Sequence, residues 1–378
     1  MPDAPRQPDP LALLRLREAV APYPVEPSDA EIAAAAGIPV AEVVRFDLNT
    51  LGGGPLPGVT AALAGFDPRA VLEYGDPSYA RLRARISELV AAPPARIVPG
   101  AGADELIRLI TTMVAGPGDA VVILTPAFSM YAVEARLAGA TVVELPRRVP
   151  AERQSVTAIR DVVTTTGARL VWLCTPNNPT ADHYPLDEIA AIADGLPALL
   201  AVDAVYQEFA EVTLGLADEA LSAIPLQAEL PNLVVLRSLA KAYGLAGARV
   251  GYLVAPESLA GRFDAARLPL PIGSPSEAAA LGALGDRAAT RARHAQIVGE
   301  RDRLAAALAR LGCEVLPSVT NFVLVMPPDA HRLESDLALR GLVVRAYPDG
   351  PLVDWLRITA RDLAENRRLI DALDDLLG

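Results

Sequence analysis

The sequence predicts an α/β fold: a large domain built on a mostly parallel sheet with helices on both faces, then a smaller α+β lobe. Three observations predict it. Short β-rich runs alternate with helical stretches through the middle of the chain, the pattern of parallel strands joined by crossover helices. After residue 257 strands become sparse and an Ala/Arg/Leu-rich helical region covers 276–312. At 378 residues, 52% of them hydrophobic, the chain is too long for one ordinary core and has ample material for two.

The elements follow in order. Residues 1–10 are polar and Pro-rich and read as a lead-in; 11–20 (LALLRLREAV) have helical spacing. A Pro-punctuated loop leads to Ser28 or Asp29, either of which suits the cap of a short helix over AEIAAAAGI. The segment 47–58 (DLNTLGGGPLPG) is a loop with three consecutive glycines. From Pro77, SYARLRARISELVA reads as an amphipathic helix with Pro near its first turn. Then come ARIVPG and GADELIRLITTMVA, DAVVILTP and FSMYAVEARLAG, TVVELP, ARLVWLCTP and LDEIAAIADGL, ALLAVD, NLVVLRS and VGYLVA. In such sheets function gathers at the carboxyl ends of the strands. The C-terminal lobe supplies CEVLP, NFVLVMP, a helix over 330–340, GLVVRAYP, DWLRIT and a final helix.

Composition excludes several classes. A net charge of −12 disfavours a general nucleic-acid surface, which needs a basic face. No apolar run is long enough to span a bilayer, and the N-terminus lacks a basic region followed by an apolar stretch, so a cytoplasmic enzyme is expected. Cys174 and Cys313 sit apart in apolar runs and read as buried reduced thiols. Neither belongs to a metal-binding cluster, so no metal is expected. His183, His294 and His331 read as surface or loop residues.

The chemistry concentrates in RSLAKAYGLAGARVGY, 237–252. Lys241 follows an apolar strand in a small-residue context, where an ammonium is costly unless paired or neutral. Taken alone it also reads as a loop lysine reaching solvent. Ser238 and Arg249 flank it, a hydroxyl and a guanidinium able to hold a phosphate while the amine meets an aldehyde. S-L-A-K followed by G-L-A-G-A-R-V-G-Y resembles the Schiff-base segment of class I and II aminotransferases, closest to the histidinol-phosphate aminotransferase branch. The resemblance extends from about Asp47 to the C-terminal helix. It implies the fold-type-I pyridoxal-phosphate transferase architecture, with a seven-stranded large-domain sheet. It also implies an N-terminal segment, 1–46, packing with the small domain, a cofactor-binding domain over 47–260 and a small domain over 261–378.

Several motifs carry the resemblance. GAGADELI, 100–107, is similar to the family's phosphate cradle, with Gly102, Ala103 and Asp104 opening a helix toward the anion. A dinucleotide-binding glycine loop is the rival reading, but the full GxGxxG is absent. TPAFSMY implies that Phe128 stacks on the pyridine ring, and TPNNPT that Asn178 donates to the cofactor's phenolate oxygen, with Ala181 where the family has Gly. ALLAVDAVY implies that Asp203 pairs with the protonated pyridine nitrogen, which lets the ring accept electrons, and that Tyr206 bonds the phenolate oxygen. LEYGDPSY implies that Tyr74 reaches the phosphate of a neighbouring subunit, hence a homodimer. Arg345, Arg357, Asn321 and Tyr23 match substrate-side positions of the branch.

Two departures bear on the substrate and the cradle. Leu51-Gly52-Gly53-Gly54 stands where the family has Asn-Glu-Asn-Pro, and Ala240 replaces a Ser before the lysine. The implied reaction is ping-pong transfer of an amino group from L-histidinol phosphate to 2-oxoglutarate, with Lys241 as cofactor anchor and general base. Aminotransfer from aromatic or other amino acids, and a lyase resembling threonine-phosphate decarboxylase, stay open. A cofactor-binding regulator without turnover is the fourth reading.

Overall fold

A computed structural model describes residues 26–147 and 152–378. The helix expected over 11–20 and Tyr23 lie outside the described residues.

The alternating runs form a seven-stranded sheet. Its order is Ile97–Gly100, Gly251–Val254, Leu233–Ser238, Leu199–Asp203, Leu170–Cys174, Ala120–Thr125, Thr141–Pro146. Every neighbouring pair is parallel except the two made by Gly251–Val254, which runs antiparallel to both its neighbours. The central strands are buried along their whole length, as their unbroken Val/Ile/Leu runs require when helices cover both faces. Two apolar clusters flank the sheet. One contains Leu82, Ile86, Val202, Phe209 and Val235; the other contains Leu106, Ile110, Trp172, Leu236 and Phe263.

The smaller lobe holds an antiparallel four-stranded sheet in the order Arg345–Ala346, Leu356–Thr359, Phe322–Met326, Glu314–Val315. Beside it Val44–Arg45 pairs in parallel with Leu342–Val343, so residues 44 and 45 are tied to this lobe. Val44, Phe46, Leu304, Leu308, Leu333, Ile358 and Leu369 form its core. The helical region 276–312 is two helices, Ser274–Leu284 and Arg287–Arg310, broken where Asp286 caps the second by accepting from Ala289 N–H. The first packs on the large domain through Ala279, Ala280 and Ala283, although it lies C-terminal to residue 261. The second spans both cores, with Ile297 in one and Leu304 in the other.

One open alternative is settled and two local expectations differ from what is observed. Ser28 rather than Asp29 caps the first helix, Asp29–Ala36, through a capping box with Glu31. The helix expected from Pro77 begins at Ala80: the Asp76 carboxylate accepts from Ser78 and Ala80, closing a turn that leaves Tyr79 at φ 50°. His294, read as a surface residue, is buried; its Nε2 lies 2.8 Å from the Ala242 carbonyl and its ring packs on Phe209.

Candidate active site

The carboxyl ends of the parallel strands open on a cavity of about 400 Å3 that the small lobe closes from the other side. Ala103, Asp104, Phe128, Asn178, Asp203, Tyr206, Ser238, Lys241, Arg249, Arg345 and Arg357 all line it. Eleven residues drawn from sequence positions 103 to 357 thus converge on one volume.

Lys241 stands just past the strand Leu233–Ser238, and its ammonium donates to the Leu48 carbonyl at 2.7 Å. Burial, followed by the positive charges of Arg357 and Arg249, pushes its pKa down to about 8. An amine so placed is partly neutral near physiological pH, which a nucleophile or general base requires.

Asp203 ends the strand Leu199–Asp203, buried on the cavity wall. Burial raises its carboxyl pKa to about 6, opposed by the hydroxyl of Tyr131, which donates at 2.6 Å, and by the Val205 N–H. Tyr131 is held in turn by stacking on Trp172, with ring centroids 4.7 Å apart, and by the edge of Phe128. A buried carboxylate that has, among the described residues, two neutral donors and no cation invites a positively charged partner in the cavity.

Opposite lies a cradle for an anion. The helix Gly102–Val114 begins here, and its first-turn N–H groups have no intrahelical acceptors. Gly102 does not itself line the cavity, but its φ of 81° favours glycine, and a Cβ there would push against the end of the Arg249 side chain, 2.7 Å away. Arg249 pairs with Asp104 at 2.7 Å, and Ser238 adds its hydroxyl. Amine, carboxylate, aromatic wall and cradle fit a planar group with a ring cation, an aldehyde and a phosphate arm.

On the small-lobe side, Arg357 donates to Asn178 Oδ1 at 2.6 Å and to the Asp47 carbonyl, and its Nε has no protein acceptor. Arg345 pairs with Glu26 across the rim. Among the described residues Tyr206 has no acceptor for its hydroxyl, which accepts from Asn49 Nδ2 at 2.9 Å. Burial raises its pKa.

Two further expected residues do not line this chain's cavity, and one is not described. Asn321 is wholly buried, does not line the cavity, and donates to the Asn49 carbonyl at 3.1 Å, one layer behind the wall. Tyr74 is 91% exposed and away from this chain's own cavity. Tyr23 lies outside the described residues. Sequence reading missed Tyr131, Leu48, Asn49, Tyr347 and Glu26 as lining residues. Tyr131 lay inside a motif already singled out, and Tyr347 follows Arg345 by two, the strand period that shares a face. The triple glycine also gains a reason: a Cβ on Gly52 would lie 2.7 Å from the Asp362 backbone nitrogen, so the loop presses against the small lobe. Among the described residues no cluster of His, Cys, Asp and Glu could hold a metal ion, and no helix is long and apolar enough to cross a membrane.

Comparison with known proteins places these features in a family. Residues 41–373 match the family Aminotransferase class I and II. A histidinol-phosphate aminotransferase from Roseiflexus castenholzii is 37% identical over 368 residues, covering 95% of this chain and 96% of that protein. One from Paramagnetospirillum magneticum is 34% identical over 354 residues, covering 90% and 93%. Among solved structures, histidinol-phosphate aminotransferase from Sinorhizobium meliloti in complex with pyridoxal-5'-phosphate superposes with a TM-score of 0.84 at 27% identity, covering 94% of this chain and 95% of that one. The seven-stranded sheet, the lysine at its strand end and these matches over nearly the whole length have one meaning: the chain is an enzyme belonging to the class I and II aminotransferases.

Proposed function

We propose that this chain holds pyridoxal 5'-phosphate on Lys241 and transfers the amino group of L-histidinol phosphate to 2-oxoglutarate, a step of histidine biosynthesis. The observation that carries the substrate is the pair Arg345 and Arg357, which line the cavity on antiparallel partner strands in direct register. Histidinol phosphate has no α-carboxylate, so a phosphate must take the place of the distal anion. Two guanidinium forks suit a phosphate, and suit the dicarboxylate acceptor in the second half-reaction. The names of the relatives point the same way.

When bound, the cofactor supplies an electron sink for bond breaking at the amine-bearing carbon. The residues do the rest. Asp203 would keep the ring nitrogen protonated, and Phe128 would offer the ring an aromatic wall. Asn178 keeps Nδ2 for donation because its Oδ1 accepts from Arg357. Ser238, Arg249 and the first turn at Gly102, Ala103 and Asp104 hold the phosphate arm. With the cofactor held there, the Lys241 amine would be placed to take and return the proton of the substrate's amine-bearing carbon. Glu26 pairs with Arg345 at the rim, so an incoming anion competes with a carboxylate for that guanidinium.

The test supplies cofactor-loaded protein with L-histidinol phosphate, phenylalanine or phosphothreonine, each with 2-oxoglutarate. Glutamate formed from histidinol phosphate alone supports the reading. Glutamate from phenylalanine alone moves it to an aromatic aminotransferase, and carbon dioxide from phosphothreonine to a lyase. Arg345→Ala lowers kcat/KM for histidinol phosphate about 10- to 100-fold, the worth of one charge-assisted pair, and leaves unphosphorylated histidinol little changed. Equal losses for both amines would remove the phosphate pocket.

We also propose a homodimer in which Tyr74 serves the partner's cradle. Tyr74, Val71 and Leu72 are exposed together, the last at 77%, on a face that a second copy would cover. Sedimentation should give twice 39.7 kDa, and Tyr74→Phe should weaken cofactor retention. A fully active monomer would overturn this. The three-part division at residues 46 and 260 and residence in the cytoplasm complete the reading, the latter supported by two buried unpaired thiols.

A further inference from the structure

Tyr206 lines the cavity, yet among the described residues its hydroxyl has no acceptor. The reason lies behind it. Asn49 is 2% exposed and holds φ 53°, a left-handed conformation that Asn tolerates better than most residues. Its backbone N–H donates to Thr359 Oγ1 at 3.0 Å. The Thr359 hydroxyl, fully buried, donates its single hydrogen to Asn49 Oδ1 at 3.1 Å. Asn321 Nδ2 fixes the Asn49 carbonyl at 3.1 Å. The amide oxygen is therefore committed, and Nδ2 faces Tyr206 Oη at 2.9 Å. An amide nitrogen can only donate. Turning the amide over would strand the Thr359 hydrogen in a buried site. So Tyr206 Oη must accept, and its own hydrogen is left for the cavity.

We propose that Asn49, locked by Thr359 and Asn321, is a positioning residue that orients and polarises the Tyr206 hydroxyl so that it donates to the cofactor's phenolate oxygen. This rests on the reading that the cavity holds pyridoxal phosphate. A chain of donors running one way strengthens each bond in it, so loss of the Asn49 donor weakens the donation made by Tyr206. Donation to the phenolate favours the deprotonated form of the bound cofactor, so weakening it raises the pH at which the cofactor's absorbance titrates.

Two variants test this. Asn49→Asp keeps the shape and the left-handed backbone but places an acceptor where the amide donated; Asn49→Ala removes the group. The first readout needs no cofactor: the Tyr206 ζ-carbon resonance of the cofactor-free chain, labelled at tyrosine, moves in both variants. The second is the absorbance titration of the pyridoxal-phosphate-loaded protein. Its midpoint rises by about one pH unit in each variant, and by no further amount when Tyr206→Phe is already present. An unmoved ζ-carbon resonance, an unmoved midpoint, or an equal rise in the Tyr206→Phe background would each overturn the proposal, the last because it marks a merely structural role. A moved resonance in a protein that forms no Lys241-dependent absorbance would instead sink the cofactor reading and leave the Asn49–Tyr206 coupling standing.

Discussion

Lys241→Ala should lower turnover about 10,000-fold or more, because one substitution removes both the covalent anchor and the base that moves the substrate proton. Borohydride treatment followed by mass analysis should find the cofactor's added mass on the peptide containing Lys241 in the native protein and nowhere in the variant. A reducible adduct at another lysine with turnover preserved would refute the assignment. The same residue sets a pH signature. Its amine titrates near 8 in the cofactor-free chain, so the rate of reconstitution with pyridoxal phosphate should rise through about pH 8 rather than near the usual lysine value. The sign for stability follows: a lysine whose folded pKa is lowered contributes stability only above its unfolded value and loses it as pH falls through 8. Lys241→Ala should therefore leave the cofactor-free chain at least as stable as the native one at neutral pH.

Asp203→Asn should produce opposite effects on stability and activity. The carboxylate is buried without a cation, and its pKa is raised to about 6. A raised carboxyl contributes stability that is full below its unfolded pKa and lost as pH rises through the folded one. At pH 8 its charge is thus a net cost to the cofactor-free chain, and Asn should raise stability by on the order of 1–2 kcal/mol, measured by denaturant unfolding. The loaded enzyme should behave the other way. A neutral amide cannot keep the ring nitrogen protonated, and kcat should fall by roughly 100- to 1,000-fold, as when other preorganised electrostatic groups are removed. A variant less stable without cofactor and unimpaired with it would contradict both halves.

Much of this site was legible in the sequence because its residues follow apolar runs closely. Asp203, Asn178, Phe128 and Ser238 each end or directly follow a strand, where the chain leaves the sheet and side chains face the cavity. The parallel sheet was legible for the same reason, since its strands are fully buried and read as unbroken apolar runs. What stayed hidden depends on contacts between distant segments. Asn49 meets Tyr206 across 157 positions and Thr359 across 310, and nothing local in DLNTLGGG marks those partners. Asn321 matched a substrate-side position but points one layer deeper, onto Asn49. His294 sits among Arg and Ala in a long helix, and only the fold brings it against Phe209, Tyr243 and the Ala242 carbonyl.

Three consecutive residues, 47 to 49, each hold a different working side chain: the Asp47 carbonyl receives Arg357, the Leu48 carbonyl receives Lys241, and the Asn49 amide reaches Tyr206. For protein engineering this sets a hard boundary. An insertion or deletion between Arg45 and Asp47 shifts all three attachments at once, because residues 44 and 45 are pinned by their strand partners. A graft intended to redirect specificity must begin after Asn49. The graft can then exchange the glycine run itself, provided that it keeps a residue without a side chain where Gly52 meets Asp362.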